Sequence, residues 1–136
     1  MKKFSNDNQL AIKEWLGHVN YDLKTAEAML ETGRYLYVGF LCQQAVEKIL
    51  KALYVKELKA TPPYVHNLSK LIDFLSFKDE IDEEKYGFID ELNSLYIKSR
   101  YGCPVEKIAK IFKKKQAADY YEKTERLIKW LKSKLK

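Results

Sequence analysis

The chain has 136 residues, of which 46% are hydrophobic and 32% are charged, and this balance excludes a disordered chain. Only five Gly and three Pro are present, too few for the many turns of an all-β fold. The net charge of +6 favours a lysine-rich solvated surface, with a nucleic acid or an acidic protein as the alternative partners.

Helical spacing of apolar side chains predicts two long helices in the first half of the chain. The first covers about residues 8–31 and ends before Gly33. The second covers about residues 35–58 and ends before Thr61-Pro62-Pro63. The short link between them implies an antiparallel helical hairpin.

Three more helices are predicted in the second half. A short third helix starts at residues 66–69, and the acidic residues 76–84 are typical of a solvated loop. A fourth helix covers about residues 83–100, and a break follows at Gly102-Cys103-Pro104. A last helix then starts at residue 115 at the latest and ends at residue 135. We therefore predict an all-α fold, an up-and-down bundle of about five helices that forms one domain over residues 1–136.

The second predicted helix is apolar over most of its circumference. Such a helix packs against several neighbours, so we expect it at the centre of the bundle. A strip of roughly 100° stays polar, and it holds Gln44, Glu47, Lys48 and Lys51. This strip is either a thin solvated seam or a lined cleft. The two lysines are either solvated or paired with Glu47 and with acidic side chains across the bundle.

Two further positions carry candidate chemistry. Asn93, Tyr96 and Arg100 share one edge of the fourth helix, beside its apolar face. A guanidinium there suits a phosphate or a carboxylate, unless it caps the last carbonyls of its own helix. His66 follows the Pro-Pro turn, and it is either a local helix-entry contact or a polar group turned towards the strip of the second helix.

The remaining motifs point away from several classes of enzyme. The two His and the two Cys lack the spacing of metal ligands. Cys42 falls on the apolar face of the second helix, as a small buried hydrophobe does. No Ser-His-Asp grouping, phosphate loop or dinucleotide fingerprint is present. We expect no metal, no cofactor and no membrane span, and a chain without a signal peptide in a reducing cytoplasm.

Five pieces of the chain, in order, resemble the HEPN family (higher eukaryotes and prokaryotes nucleotide-binding domain). They are Trp15-Leu16 with Asp22-Leu23 and Ala26, Gly33-Arg34-Tyr35 with the stretch at residues 40–53, His66-Asn67-Leu68 with Leu71, Leu92-Asn93 with Tyr96 and Arg100-Tyr101, and the last helix. The resemblance implies a helical bundle that pairs as a homodimer.

The activity that the resemblance implies depends on whether one motif is present. Many members of the family are metal-independent ribonucleases, several of them toxins, and they use an Arg followed by four to six residues and then a His at a cleft between two subunits. Arg100 matches this Arg, but residues 101–106 hold no His, so the motif is not present. His66 would replace the missing base only if the fold brought it near Arg100.

The family's other association is with a minimal nucleotidyltransferase, and the absence of the motif favours this branch. We expect a nucleotide- or RNA-phosphate-binding subunit of a toxin–antitoxin-like pair, not a reader of DNA sequence. Its binding residues would be Arg100, Tyr101, Tyr96, Asn93, Gln44, Glu47, Lys48 and Lys51. The alternatives are a ribonuclease toxin with Arg100 and His66 as catalytic residues, and a structural helical adaptor whose basic last helix contacts an acidic partner.

Overall fold

The computed structural model describes residues 2–100 and 104–136, and within them the side chains of residues 7–98 and 104–136. The α-helices in chain order are α1 (Lys2–Glu31), α2 (Tyr35–Leu58), α3 (Leu68–Ile72), α4 (Glu83–Arg100), α5 (Val105–Ile111) and α6 (Lys114–Ser133). These residues include no strand, so the predicted all-α fold is confirmed. No helix formed by them combines the length and the apolar character needed to cross a lipid bilayer.

The helix bounds differ from the predicted ones in four places, the smallest difference being at α6, which covers Lys114–Ser133 and ends before the predicted residue 135. α1 begins at Lys2 instead of about residue 8, because no Gly or Pro interrupts the polar residues before the apolar pattern. The acidic stretch contains a 3-10 turn at Lys78–Glu80 where a plain loop was predicted. α5 was not predicted, because a seven-residue helix whose one buried residue is Ile108 has no visible periodicity. The predicted break at residues 102–103 lies outside the described residues, and Pro104 is the N-cap of α5.

The turn between α1 and α2 reverses the chain within three residues. Gly33 adopts a positive φ of 82°, which glycine reaches without steric cost. The Arg34 N–H then donates to the Met29 carbonyl at 2.8 Å, closing the Schellman motif that ends many helices. The antiparallel hairpin predicted for the first half of the chain follows from this turn.

α2 is the central helix, as its broad apolar circumference predicted. It contacts α1, α3, α4, α5 and α6. Ile49, Leu50 and Leu53 are completely buried. A Cβ added at Gly39 would collide with the Leu95 side chain, so α4 approaches the backbone of α2 closely at this point. The polar side chains of so enclosed a helix must find partners inside the bundle.

Candidate functional site

A line of buried polar side chains runs along α2. Gln43, Glu47 and Lys51 are 0%, 3% and 6% exposed. They are spaced four residues apart, slightly more than one helical turn, and therefore lie one above the other. His66, from the segment between α2 and α3, meets this line at Glu47. We call these four residues the polar seam.

The Glu47 carboxylate is the centre of the polar seam. Lys51 Nζ donates to Glu47 Oε2 at 3.1 Å, and Gln43 Nε2 lies 3.4 Å from Oε1. His66 Nδ1 is 3.1 Å from the same Oε1. Because a carboxylate only accepts hydrogen bonds, Nδ1 carries the proton and donates it. Both oxygens of this buried charge are therefore satisfied, and an unpaired charge here would be costly.

The backbone before His66 is fixed by several local features. Lys59 ends α2 in the left-handed region, at φ 51°. Pro62 and Pro63 lock their own φ angles, and the Val65 N–H donates to the Pro63 carbonyl at 2.9 Å. Gln43 Nε2 donates to the His66 carbonyl at 2.9 Å. The Gln43 side chain thus contacts both the Glu47 carboxylate and the backbone of His66.

The start of α3 is held by two asparagines. Asn67 is the N-cap, and its Oδ1 accepts from the Lys70 N–H at 3.2 Å. Asn93 of α4 reaches across, and its Oδ1 accepts from the Leu68 N–H at 3.0 Å. The side-chain oxygen of Asn93, a residue predicted to shape a phosphate site, therefore anchors the segment that carries His66.

Aromatic rings flank His66 on both sides. The Tyr64 ring meets it edge-on at 5.3 Å, and the Tyr96 ring lies 5.6 Å away. Tyr96 in turn stacks on Phe40 at 5.5 Å and 14°. Tyr64 is 89% exposed, whereas Tyr96 is buried. The His66 side chain is 35% exposed, and no described residue bonds its Nε2. The imidazole thus stands at the edge between the core and solvent.

Two aromatic rings also lie near the Lys51 ammonium group. Its Nζ lies 5.6 Å from the centre of the Trp15 ring and 5.9 Å from that of Tyr64. A cation over a ring face is attracted by the ring's electrons. Together with the ion pair to Glu47, these contacts commit the Lys51 charge to the interior of the protein.

The other residues of the predicted strip have separate partners. Lys48 Nζ pairs with Asp22 Oδ2 of α1 at 2.6 Å. Gln44 Nε2 donates to Gln43 Oε1 at 2.8 Å. Both strip lysines are thus paired and not solvated, the second of the two alternatives left open by the sequence. Glu47, Lys51, His66 and Tyr96 lie in one site, while Lys48 ties α2 to α1.

The side chain of the predicted phosphate contact is not among the described side chains. Arg100 is the last residue of α4, one turn after Tyr96, and its side chain is not described. Tyr101 lies outside the described residues altogether. The roles of Arg100 and Tyr101 therefore stay predictions from the sequence.

Sequence reasoning missed Gln43, which bonds both Glu47 and the His66 backbone. Its spacing of four and eight residues places it in line with Glu47 and Lys51, but Gln44, three and seven residues from them, fits the same edge of the helix, so spacing alone does not choose between the two. Asp22 was also missed, because nothing in a sequence pairs it with a lysine 26 residues later.

A metal centre and a reactive thiol are two other kinds of site to consider. In the described part of the chain, no group of three or more His, Cys, Asp or Glu side chains could hold a metal ion. Burial raises the pKa of the Cys42 thiol to about 12. A neutral thiol is a poor nucleophile, so Cys42 belongs to the core.

The sequence model of the HEPN domain matches residues 12–134, nearly the whole chain. The chain belongs to the HEPN domain family. In this HEPN domain, the polar seam is formed mainly by residues 40–53, the stretch that carries much of the resemblance to the family. No curated protein matches the chain.

Two solved structures are similar to this HEPN domain. TT1696 from Thermus thermophilus aligns with a TM-score of 0.74 and 22% identity, covering 90% of this chain and 97% of that one. ST0689, an archaeal HEPN homologue, aligns with a TM-score of 0.70 and 22% identity, covering 92% of this chain and 98% of its own. At such identities the likeness shows the helical fold alone.

Proposed function

We propose that this HEPN domain protein binds a nucleotide or an RNA phosphate at the surface formed by Tyr64, His66 and the end of α4. One observation carries the proposal. Glu47 holds His66 through Nδ1, while its partly exposed ring leaves Nε2 unbonded by any described residue. When both ring nitrogens carry a proton, Nδ1–H bonds Glu47 and Nε2–H donates to a phosphate oxygen, which itself only accepts hydrogen bonds.

The neighbouring side chains supply complementary groups. Tyr64 presents a highly exposed ring beside His66, and nucleic acid bases stack on such rings. Arg100 follows at the end of α4, where its guanidinium would give a bidentate contact to the phosphate. Tyr101 follows Arg100 in the sequence, and its role stays a proposal from the sequence.

The other predicted binding residues support this surface from behind. Lys51 and Glu47 neutralise each other and orient His66, while Asn93 fixes the start of α3. Gln44 bonds Gln43, and Lys48 bonds α1. We assign these residues to positioning, because their polar groups already have protein partners.

Binding is tested with a fluorescently labelled, mixed-sequence oligoribonucleotide and the purified protein. Arg100→Ala and His66→Ala should each weaken binding at least about tenfold, since each removes a charged or hydrogen-bonded phosphate contact. His18→Ala is the matched control, because His18 is an exposed histidine on α1. Unchanged binding in both site variants, or an equal loss in His18→Ala, would overturn the proposal.

A second candidate is a metal-independent ribonuclease with His66 as the base. Its support is the Glu47–His66 pair, because a proton on Nδ1 leaves Nε2 of the neutral ring free to accept a proton from an attacking 2′-hydroxyl. A carboxylate that orients a histidine in this way recurs among hydrolases.

The ribonuclease is tested by incubating RNA with the protein in the presence of a metal chelator. Cleavage that leaves a 2′,3′-cyclic phosphate, and that is lost in both His66→Ala and Arg100→Ala, is the expected signature of this candidate. Wild-type protein that leaves the RNA intact would reject it and keep the binding subunit.

For the assembly, we propose a homodimer that acts with a minimal-nucleotidyltransferase partner as a toxin–antitoxin-like pair. Support comes from the family resemblance and from the lack of His in residues 101–106 after Arg100. Light scattering at micromolar concentration tests the dimer, and a monomer would count against it. Co-purification with a nucleotidyltransferase encoded beside this chain tests the pair.

A further inference from the structure

A groove lies away from the polar seam, between the first half of α4 and the second half of α6. Its volume is about 550 Å³. Phe88, Leu127 and Trp130 supply apolar lining, and Glu83, Glu84 and Glu91 contribute carboxylates. A volume of this size accommodates several large side chains of a ligand. We call it the α4–α6 groove.

Gly87 leaves an opening in the wall of the groove. It lies in the interior of α4, where a glycine is less favourable than an alanine by about 0.5–1 kcal/mol. A Cβ added there would meet no atom within 4 Å. Close packing within the protein therefore does not account for this glycine, and the space beside it is open to a ligand's side chain.

The carboxylates and the cations of the groove differ in their partners. All three cations of the groove lining have acidic partners, because Lys85 pairs with Asp82, Lys123 with Asp119 and Arg126 with Glu122, each at 3.1 Å. Glu83, Glu84 and Glu91 have no ion-pair partner among the described residues. The uncompensated charge of the groove is thus negative, in a chain whose net charge is +6. This sign disfavours a nucleic acid at the groove.

Trp130 contributes apolar surface and not a free cation site. Lys85 Nζ and Lys134 Nζ each lie 4.9 Å from the centre of its ring, and Phe77 packs against it edge-on at 5.8 Å. Cations of the protein already occupy the favourable positions near this ring. A ligand's own cations would therefore be attracted to the carboxylates.

We propose that the α4–α6 groove docks a basic amphipathic helix of a partner protein. Its apolar stripe lies on Trp130 and on the small exposed parts of Phe88 and Leu127, which are 8% and 5% exposed, with one side chain entering the space beside Gly87. Its Lys or Arg side chains reach Glu84 and Glu91, which lie on one face of α4 and about 10 Å apart along the axis. Apolar anchors at helical spacing are the usual mode by which a helix enters a groove.

The probe for this proposal is a labelled 14-residue peptide in which Leu recurs at helical spacing and the other positions are Lys. Fluorescence anisotropy should show that it binds the wild-type protein and binds more weakly as salt rises. A scrambled peptide of the same composition, and a peptide with Glu in place of Lys, should bind at least about tenfold more weakly.

Variants of the protein locate the binding. Gly87→Leu fills the open space and should weaken binding of the basic peptide at least about tenfold, because it excludes an anchor side chain. Gly17→Leu on α1 is the matched control, since a Cβ at Gly17 also meets nothing within 4 Å. Glu84→Gln and Glu91→Gln should weaken binding and reduce its salt dependence, whereas Asp90→Asn, an exposed carboxylate outside the groove lining, should not.

Three results would overturn the proposal. The first is equal binding of the ordered and the scrambled peptide. The second is unchanged binding in Gly87→Leu, with folding verified by circular dichroism. The third is self-association of the wild-type protein that Gly87→Leu abolishes, because a second copy of this chain would then be the occupant.

Discussion

The polar seam and the α4–α6 groove both combine charged side chains with aromatic rings, yet their carboxylates differ in burial and in partners. In the seam, Glu47 is 3% exposed and receives donors on both oxygens. In the groove, Glu84 is exposed and has no ion-pair partner among the described residues. Burial makes a partner obligatory, whereas water satisfies an exposed carboxylate. Seam charges therefore fix structure, whereas the exposed Glu84 carboxylate is accessible to a ligand.

The contrast between the two regions is tested by removing one carboxylate from each of them. Glu47→Ala leaves the Lys51 charge buried without a counterion and should lower the free energy of unfolding by about 3–5 kcal/mol. Glu84→Ala should change it by less than about 0.5 kcal/mol. Urea denaturation of both variants measures the difference.

A double variant sharpens the same test. Glu47→Leu/Lys51→Met removes both charges, so it should be more stable than Glu47→Ala. Similar stabilities for Glu47→Ala and Glu84→Ala would mean that the seam charge is hydrated, contrary to its burial.

The second prediction concerns the glycine of α2 that lies against α4. In Gly39→Ala the new methyl group collides with Leu95, so stability should fall by about 1–3 kcal/mol. Thermal denaturation followed by circular dichroism measures the loss. A variant as stable as the wild type would show that Leu95 moves aside freely and that the contact between α2 and α4 is loose.

The third prediction uses the pH dependence of stability to test whether water is excluded from the face of α2 that packs in the core. Burial raises the pKa of Cys42 from 9.0 to about 12. The unfolded chain therefore loses this proton first, and stability should fall as pH rises from about 9 towards 12. At pH 10 the loss from this group is about 1.4 kcal/mol. Between pH 8 and pH 10, the urea midpoint should fall more for the wild type than for Cys42→Ala. Equal falls in the two proteins would contradict a thiol that is buried away from water.

The smallest expected effect is a gain in stability at the groove. Gly87→Ala adds a methyl group where no atom lies within 4 Å and restricts the unfolded chain. It should raise the free energy of unfolding by about 0.5–1 kcal/mol. This change in the free energy of unfolding has the opposite sign to that of Gly39→Ala. Measured under the same conditions, the two changes distinguish the open groove from the packed face of α2. A loss of stability in Gly87→Ala would show that the groove is closed in solution.

Much of the fold could be predicted because long helices repeat their apolar pattern many times. The bounds of α2 and α4 agree with the predicted ones, and the turn at Gly33 carries its own signal. α5 could not be predicted, since its seven residues bury only Ile108 and make two turns at most. A periodic pattern can be recognised only over several helical turns. The ends of helices and the short helices of a bundle are too short to show it.

The site was only partly predictable for a different reason. Glu47 and Lys51 were found because they interrupt an apolar helix. The contact of His66 with Glu47 depends on how the chain returns after Pro63, and no local pattern encodes that return. Gln43 is completely buried, although a glutamine beside another glutamine gives no sign of which one faces inwards. Side chains on one helix are ordered by spacing, whereas partners from a loop are set by the tertiary fold.

The segment at residues 59–67 has a kinetic consequence for the proposed binding surface. Its left-handed Lys59, its two prolines and its bonds to Gln43 and Asn93 fix His66 in the unliganded protein. A ligand therefore does not have to order this loop, and its affinity is not reduced by lost chain entropy. Association at His66 should be limited by diffusion and orientation, without a slow closing step.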